Sequence, residues 1–205
     1  MRTFIALEPP EDFIGEVAAV ARQLKPFVEA RYIPRRNYHL TLAFLGDIHE
    51  SRIADVVRCM ESAAEGIPRM MEGHESDSMD LNDSASNIDV GFDSRISSVM
   101  EIPLIPDGIG KFGKPHNATL WLGLSKNPVL MNLVKRLRGE LAETGIAFDD
   151  KSFIPHITLA RHADIPEIEL PSIMFPRRAN AQCMTLFKSM LSKEGAEYDP
   201  LYSIS

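Results

Sequence analysis

The 205-residue chain contains no run of roughly 18 uninterrupted apolar residues, so nothing in it reads as a membrane span. Its first residues, Met1-Arg2-Thr3-Phe4-Ile5-Ala6-Leu7-Glu8-Pro9, lack the long apolar core and cleavage site of a secretion signal. A soluble, cytoplasmic protein without a membrane partner is expected. Cysteine is nearly absent: Cys59 falls in a helical pattern and Cys183 in a strand pattern, with no CxxC or other ligand spacing. Both therefore read as buried thiols in a reducing compartment rather than as a disulfide, a zinc cluster or a nucleophile. No His-Glu-x-x-His or comparable ligand set occurs, and neither a metal nor a cofactor is expected. A surplus of positive charge is missing too, since the formal net charge is -7. That deficit is local. Between Met70 and Ser94 stand Glu72, Glu75, Asp77, Asp80, Asp83, Asp89 and Asp93 without a lysine or arginine, and outside this stretch 22 acidic residues balance 22 basic ones. A segment so rich in Ser, Asp and Asn buries too little apolar surface to offset its ordering entropy. Residues 70–94 are read as a mobile acidic insert in a single domain spanning 1–205, and net charge does not exclude a nucleic-acid partner.

What is present is an α+β grammar stated twice. Thr3 to Leu7 predicts a strand, and Pro9-Pro10 opens a helix with Phe13, Val17, Val20 and Leu24 on one face, ended by Pro26. Arg31-Tyr32-Ile33-Pro34 and Tyr38 to Leu45 follow as strands; Ser51 starts a helix with the apolar face Ile53, Val56, Val57, Met60 and Ala64. Beyond the insert, Val99 to Ile105 and Thr119 to Leu124 predict strands, separated by Pro-Asp-Gly and Phe-Gly-Lys-Pro stretches with turn and loop chemistry. Asn127-Pro128 has the form of a helix start, Leu130, Leu133, Val134, Leu137 and Leu141 form its apolar face, and Gly145 stands where a C-terminal glycine belongs. Phe153 to Arg161, Ala179 to Leu191 and Tyr198 to Ile204 complete the strands. The expected fold is α+β and bilobal: a pseudo-twofold duplication with two antiparallel sheets facing a central cleft and helices on the outer faces.

Each half carries one nearly identical segment, His39-Leu40-Thr41-Leu42-Ala43 and His156-Ile157-Thr158-Leu159-Ala160. In a strand, residues i and i+2 share a face, so each segment presents an imidazole and a hydroxyl side by side. Imidazole titrates near pH 6.5, which lets one histidine act as base and another as acid at neutral pH. Phosphodiester hydrolysis has those two demands, together with donors for developing negative charge, which Thr41 and Thr158 would supply. That arrangement needs no metal.

With their flanks, His39-Leu40-Thr41-Leu42-Ala43-Phe44-Leu45-Gly46 and Pro155-His156-Ile157-Thr158-Leu159-Ala160-Arg161 resemble the two signatures of the 2H phosphoesterase superfamily, in its RNA 2',3'-cyclic phosphodiesterase branch, also described as 2'-5' RNA ligase-like. The resemblance extends to Phe4-Ile5-Ala6-Leu7 and Thr185-Leu186-Phe187-Lys188-Ser189. It implies hydrolysis of a 2',3'-cyclic phosphate on RNA or a nucleotide to a 2'-phosphomonoester. It also implies His156 as proton acceptor, His39 as proton donor, Thr41 and Thr158 on the phosphate, and Arg161 as a further substrate contact. The first signature often carries Arg where this chain has Ala43, which implies one basic contact fewer; the acidic insert is also a departure.

His49, His74, His116 and His162 read as surface residues, with His162 near enough to the cleft to modulate it. Arg31, Arg35, Arg36, Arg177, Arg178 and Lys188 either line the cleft for an anionic chain or are ordinary surface charge. Phe44, Phe153 and Trp121 read as core aromatics, with a base-stacking platform as the alternative, and alternation sets Phe44 on the face opposite His39. The competing functions are 2'-5' RNA ligation in the reverse direction, a non-catalytic RNA- or nucleotide-binding module, and a basic protein partner for the insert. A monomer is expected.

Overall fold

The computed structural model describes residues 1–65, 67, 69–71, 98–165, 172–192 and 195–205. In chain order its elements are β1 (Arg2–Glu8), α1 (Glu11–Leu24), β2 (Glu29–Tyr32), β3 (Leu40–Asp47), α2 (Ile53–Glu65), β4 (Arg69–Met71), β5 (Ser98–Met100), β6 (Ile102–Leu104), β7 (Pro106–Lys114), β8 (Asn117–Leu124), α3 (Pro128–Glu143), β9 (His156–Asp164), β10 (Ala179–Ala181), β11 (Cys183–Ser192) and β12 (Gly195–Ile204). Met70 and Met71, the first residues of the acidic insert, lie on β4 opposite β5, and 72–94 fall outside the described residues.

The helices follow their sequence signals. Phe13, Val17, Val20 and Leu24 of α1 are buried as expected, and Glu11 and Asp12 place negative charge in its first turn, where the helix dipole favours it. Asn127 caps α3: its side-chain oxygen accepts the Leu130 N–H at 2.9 Å, and its amide donates to the Pro103 carbonyl at 2.9 Å. At the other end Gly145 takes a positive φ of 70°, the left-handed stop that a Cβ disfavours. The buried face of α2 is rotated from the expected one. Val56, Met60 and Ala64 point inward, but Cys59 and Ala63 replace Ile53 and Val57, which are half-buried.

Eight strands form one antiparallel sheet in the order β12-β11-β1-β3-β9-β8-β7, with β2 also paired to β9. Its two halves, β12-β11-β1-β3 and β7-β8-β9-β2, join at a single registered pair, Leu40 with Ile157. The two expected sheets are thus hydrogen-bonded into one. The halves also exchange strands: β2 leaves the N-terminal segment to pair with β9, while β11 and β12 return from the C-terminus to β1. Neither half of the chain can complete its own sheet. Helix α1 packs against β9, α2 against β12 and α3, and α3 also against β3.

Two expectations change here. The glycine-rich stretch read as turn and loop is strand β7, hairpinned to β8 with Gly110 opposite Trp121. A Cβ at Gly110 would lie 2.1 Å from the Trp121 ring, so this glycine is the floor on which the indole lies rather than a turn residue. Of the two thiols, Cys59 is buried but Cys183 is only half-buried; both are free.

Candidate active site

Leu40 and Ile157, the residues that join the two halves, are both fully buried. Each directly follows a motif histidine: His39 precedes the first residue of β3, and His156 is the first residue of β9. Continuing the antiparallel register by one residue on each side sets His39 across from Thr158 and Thr41 across from His156. The seam therefore brings the two His-x-Thr pairs together in alternation.

Both motifs then break the strand period in the same way. In β3, Ile5 opposes Ala43 and Ala6 opposes Thr41, which leaves Leu42 as an extra residue. In β9, Leu120 opposes Ala160 and Trp121 opposes Thr158, which leaves Leu159. Each bulge buries two successive side chains, Leu42 with Ala43 and Leu159 with Ala160. Beyond the bulge the phase has flipped. Phe44 and Arg161, each five residues past its histidine, return to the half-buried or exposed side with Thr41 and Thr158. Phe44 is consequently not opposite His39 and not core, because simple alternation does not survive a bulge. Ala43, 1% exposed, is buried and carries no polar group for a substrate. The position matching Arg161 is Phe44, and the Arg2 guanidinium stands over its ring, 5.0 Å from the centroid. Nothing in the motifs pointed to Arg2, but on β1 it shares a face with Phe4, two residues on.

The imidazoles are fixed alike. His39 Nδ1 is 2.8 Å from the Asn37 carbonyl, and His156 Nδ1 is 2.7 Å from the Ile154 carbonyl. A carbonyl only accepts, so each Nδ1 carries the hydrogen and each Nε2 is left to take or give the working proton. Around His39 lie Phe4, with ring centroids 4.8 Å apart, and Tyr198, edge-on at 5.2 Å; around His156 lie Phe112 at 5.0 Å and Trp121 at 5.8 Å. Burial pushes the His39 pKa down to about 4, helped by the nearby charges of His156 and Arg161 and opposed by the Asn37 carbonyl. His156 is also lowered, first by burial and then by Arg161, against the Ile154 carbonyl. Both are neutral in the free protein at pH 7.

His39, Thr41 and Arg161 line a cavity of about 440 Å³, whose walls include Arg2, Arg36 and Tyr198. His156 and Thr158 are not part of its lining, so the cavity leads away from the seam on the His39 side. Its roof is the β11–β12 hairpin. Asn37, buried and unremarked in the sequence, donates its side-chain amide to the Ala196 carbonyl at 2.7 Å, tying that hairpin to the residue that holds the His39 ring.

The other candidates separate cleanly. His162 lines the cavity and adopts φ 52° in β9, with Nδ1 2.9 Å from Asn117 Oδ1. His49 and His116 are exposed, the latter 2.8 Å from Asp164, and His74 lies outside the described residues. Arg31 and Arg36 reach the cavity, whereas Arg35 pairs with Glu11 and Arg177 with Glu16; Arg178 and Lys188 are not in its lining. Phe153 is half-buried under the Arg138 guanidinium, and Trp121 is half-buried beside His156. Among the described residues no three His, Cys, Asp or Glu side chains come together as a metal site, and no helix is long and apolar enough to cross a membrane.

An antiparallel α+β fold with two His-x-Thr motifs meeting at its seam defines the class, an enzyme of phosphoesters. The chain belongs to the LigT-like phosphoesterase family, whose model matches residues 7–72 and 122–195 and so contains both motifs. Among its relatives are proteins named RNA 2',3'-cyclic phosphodiesterase. The one from Thermotoga maritima is 28% identical, covering 98% of this chain and 94% of the relative. The one from Thermus thermophilus is 24% identical, over 100% and 90%. In fold, the chain is similar to the protein TT0787 of Thermus thermophilus (TM-score 0.71, 23% identity, covering 99% of this chain and 96% of that one). It is likewise similar to E. coli LigT complexed with 3'-AMP (TM-score 0.70, 22% identity, 99% and 96%).

Proposed function

We propose that this enzyme hydrolyses the 2',3'-cyclic phosphate of RNA ends or nucleotides to a 2'-phosphomonoester. The observation that carries the reading is the seam, which faces each histidine with the other motif's threonine. His156 Nε2 takes a proton from water as the water oxygen attacks phosphorus. The bond from phosphorus to O3' breaks, and His39 Nε2–H delivers a proton to that oxygen. Thr41 and Thr158 donate hydrogen bonds to the non-bridging oxygens, and Arg161 offsets the charge that grows on them. His39 is held neutral by burial in the free protein, and the anionic phosphate arriving beside it favours the proton it must give. No step uses a metal or a cofactor.

The relatives' names support this reaction, and the exchanged strands support one bilobal domain over residues 1–205, since neither half closes alone. We read it as a cytoplasmic monomer with the insert at 70–94 outside the chemistry. The test is hydrolysis of a ribonucleoside 2',3'-cyclic phosphate in chelator, with the product's phosphate position read by NMR. A 2'-phosphomonoester is expected, and its formation is expected to vanish in the His39→Ala, His156→Ala double variant. Turnover surviving in that variant would sink the mechanism. Joined RNA, formed from a 2',3'-cyclic phosphate strand and a 5'-hydroxyl strand in preference to hydrolysis, would favour ligation.

A further inference from the structure

Two groups stand apart among the described arginines. Five are neutralised or held where they stand: Arg35 by Glu11, Arg52 and Arg58 by Asp55, Arg177 by Glu16, Arg138 by the carbonyls of Leu42 and Lys151. Arg2, Arg36 and Arg161 instead converge on the cavity beside His39, and none of the three has a carboxylate partner among the described residues. Arg31 also lines it, as does one carboxylate, Glu197. Like charges brought together around a concave surface destabilise the empty protein and create a strong positive field. The reaction proposed above neutralises one charge, that of the cyclic phosphate, and has Arg161 for it. Arg2 and Arg36 are left over.

Their placement is directional. A terminal ribonucleotide is held at the seam by its 2' and 3' oxygens, so its ribose, base and 5' oxygen must extend away from the two motifs. The cavity supplies that space on the His39 and Thr41 side, and its volume of about 440 Å³ falls in the range of ligand pockets. Phe4 and Tyr198 give it aromatic surface, and Arg2 and Arg36 lie in its walls. The bulge at Leu42 contributes directly, because it turns Phe44 toward this side, and Phe44 is the ring over which Arg2 stands.

We propose that this cavity is a subsite for a second phosphate, the phosphodiester on the 5' side of the nucleotide that bears the cyclic phosphate, held by Arg2 and Arg36. The preferred substrate is then an RNA end rather than a mononucleotide. This rests on the cyclic phosphodiesterase reading and narrows its substrate class.

The experiment compares kcat/KM at fixed low salt for three substrates: adenosine 2',3'-cyclic phosphate, the same nucleotide carrying a 5'-phosphate, and the dinucleotide ApA ending in a 2',3'-cyclic phosphate. The wild-type protein is expected to favour both two-phosphate substrates by about tenfold or more, the scale of one charge-assisted contact. In the Arg2→Ala, Arg36→Ala double variant that ratio is expected to fall to within about threefold, and the salt dependence for ApA to flatten by roughly 0.7 in log–log slope, one phosphate on a single strand. The exposed Arg178→Ala variant serves as the control in which the ratio persists. A wild-type ratio near unity, a gain seen with ApA but not with the 5'-phosphate, or a ratio unchanged in the double variant would each overturn the subsite while leaving hydrolysis intact. If the wild-type protein turns over none of the three, the hydrolytic reading fails. Calorimetric affinities for adenosine 2'-phosphate against the corresponding 2',5'-bisphosphate then decide the subsite by the same ratio.

Discussion

His39 and His156 occupy matching places in the two halves of the sheet, but their surroundings are built to different depths. His39 is packed by rings from three further strands, Phe4 of β1, Phe187 of β11 and Tyr198 of β12, and its carbonyl partner is tied to the β11–β12 hairpin. His156 has Phe112 and Trp121 from a single hairpin at the end of the sheet, and its partner Ile154 is itself exposed. One motif is thus enclosed beside a cavity, and the other stands at the open side of the seam. A duplicated motif need not give duplicated roles, because exchange of strands supplies each copy with different neighbours.

The largest effect that can break this comparison is removal of either imidazole. His39→Ala and His156→Ala are each expected to lower kcat by about 10² to 10⁴. Steady-state rates across pH then separate the two. Both folded-state pKa values lie below the ordinary 6.5, so protonation of the base cuts activity only as pH falls below that value. The acid, for the same reason, is already losing its proton as pH rises toward 6.5. The optimum of kcat/KM is therefore expected on the acid side of pH 6.5, between there and about 4, with the kcat optimum displaced upward once bound phosphate favours the protonated acid. An optimum of kcat/KM above pH 7 would contradict the burial-driven shifts.

A smaller effect is expected on the His156 side alone. Gly110→Ala forces a methyl into the Trp121 ring, 2.1 Å away, which costs on the order of 1–3 kcal/mol of stability and displaces the indole packed beside His156. A loss of about tenfold in kcat/KM is expected, with the ratio between one-phosphate and two-phosphate substrates retained, since the cavity lies on the other side. Loss of that ratio would show that the two halves are not separable.

How much of this was legible in the sequence depends on the range of the interaction. The α3 boundaries were, because Asn127, Pro128 and Gly145 act within a turn of themselves. So were the histidines and threonines, whose repeated spacing is local. The face of Phe44 was not: the extra residue in β3 is defined by how β1 pairs with it, which no pattern within β3 records. Strand β7 is hidden for a related reason. Its glycines look like turn signals until Trp121 is seen to need the space above Gly110. Arg2 and Asn37 act through partners far along the chain, Arg2 through Phe44 and Asn37 through Ala196, 159 residues away.

Asn37 offers the finest test of the comparison, since it has no counterpart on the other side: Ile154 holds His156 with its backbone only. Asn37→Ala keeps the carbonyl that accepts from His39 but removes the amide that fastens the β11–β12 hairpin to it. The Ala196 carbonyl is left unpaired, at a cost of about 1–3 kcal/mol if it stays buried, so the hairpin is expected to lift. Water then reaches His39, the desolvation that depresses its pKa weakens, and that pKa rises from about 4 toward 6.5. A purely structural role for Asn37 predicts a lower melting temperature and an unchanged pH profile. The positioning role predicts in addition a shift toward higher pH in whichever limb of the kcat/KM profile belongs to His39, with kcat reduced only a few-fold. Asn37→Ser, with a shorter donor, is expected to fall between the two, and a profile that stays in place in both variants would reduce the hairpin tie to stability alone.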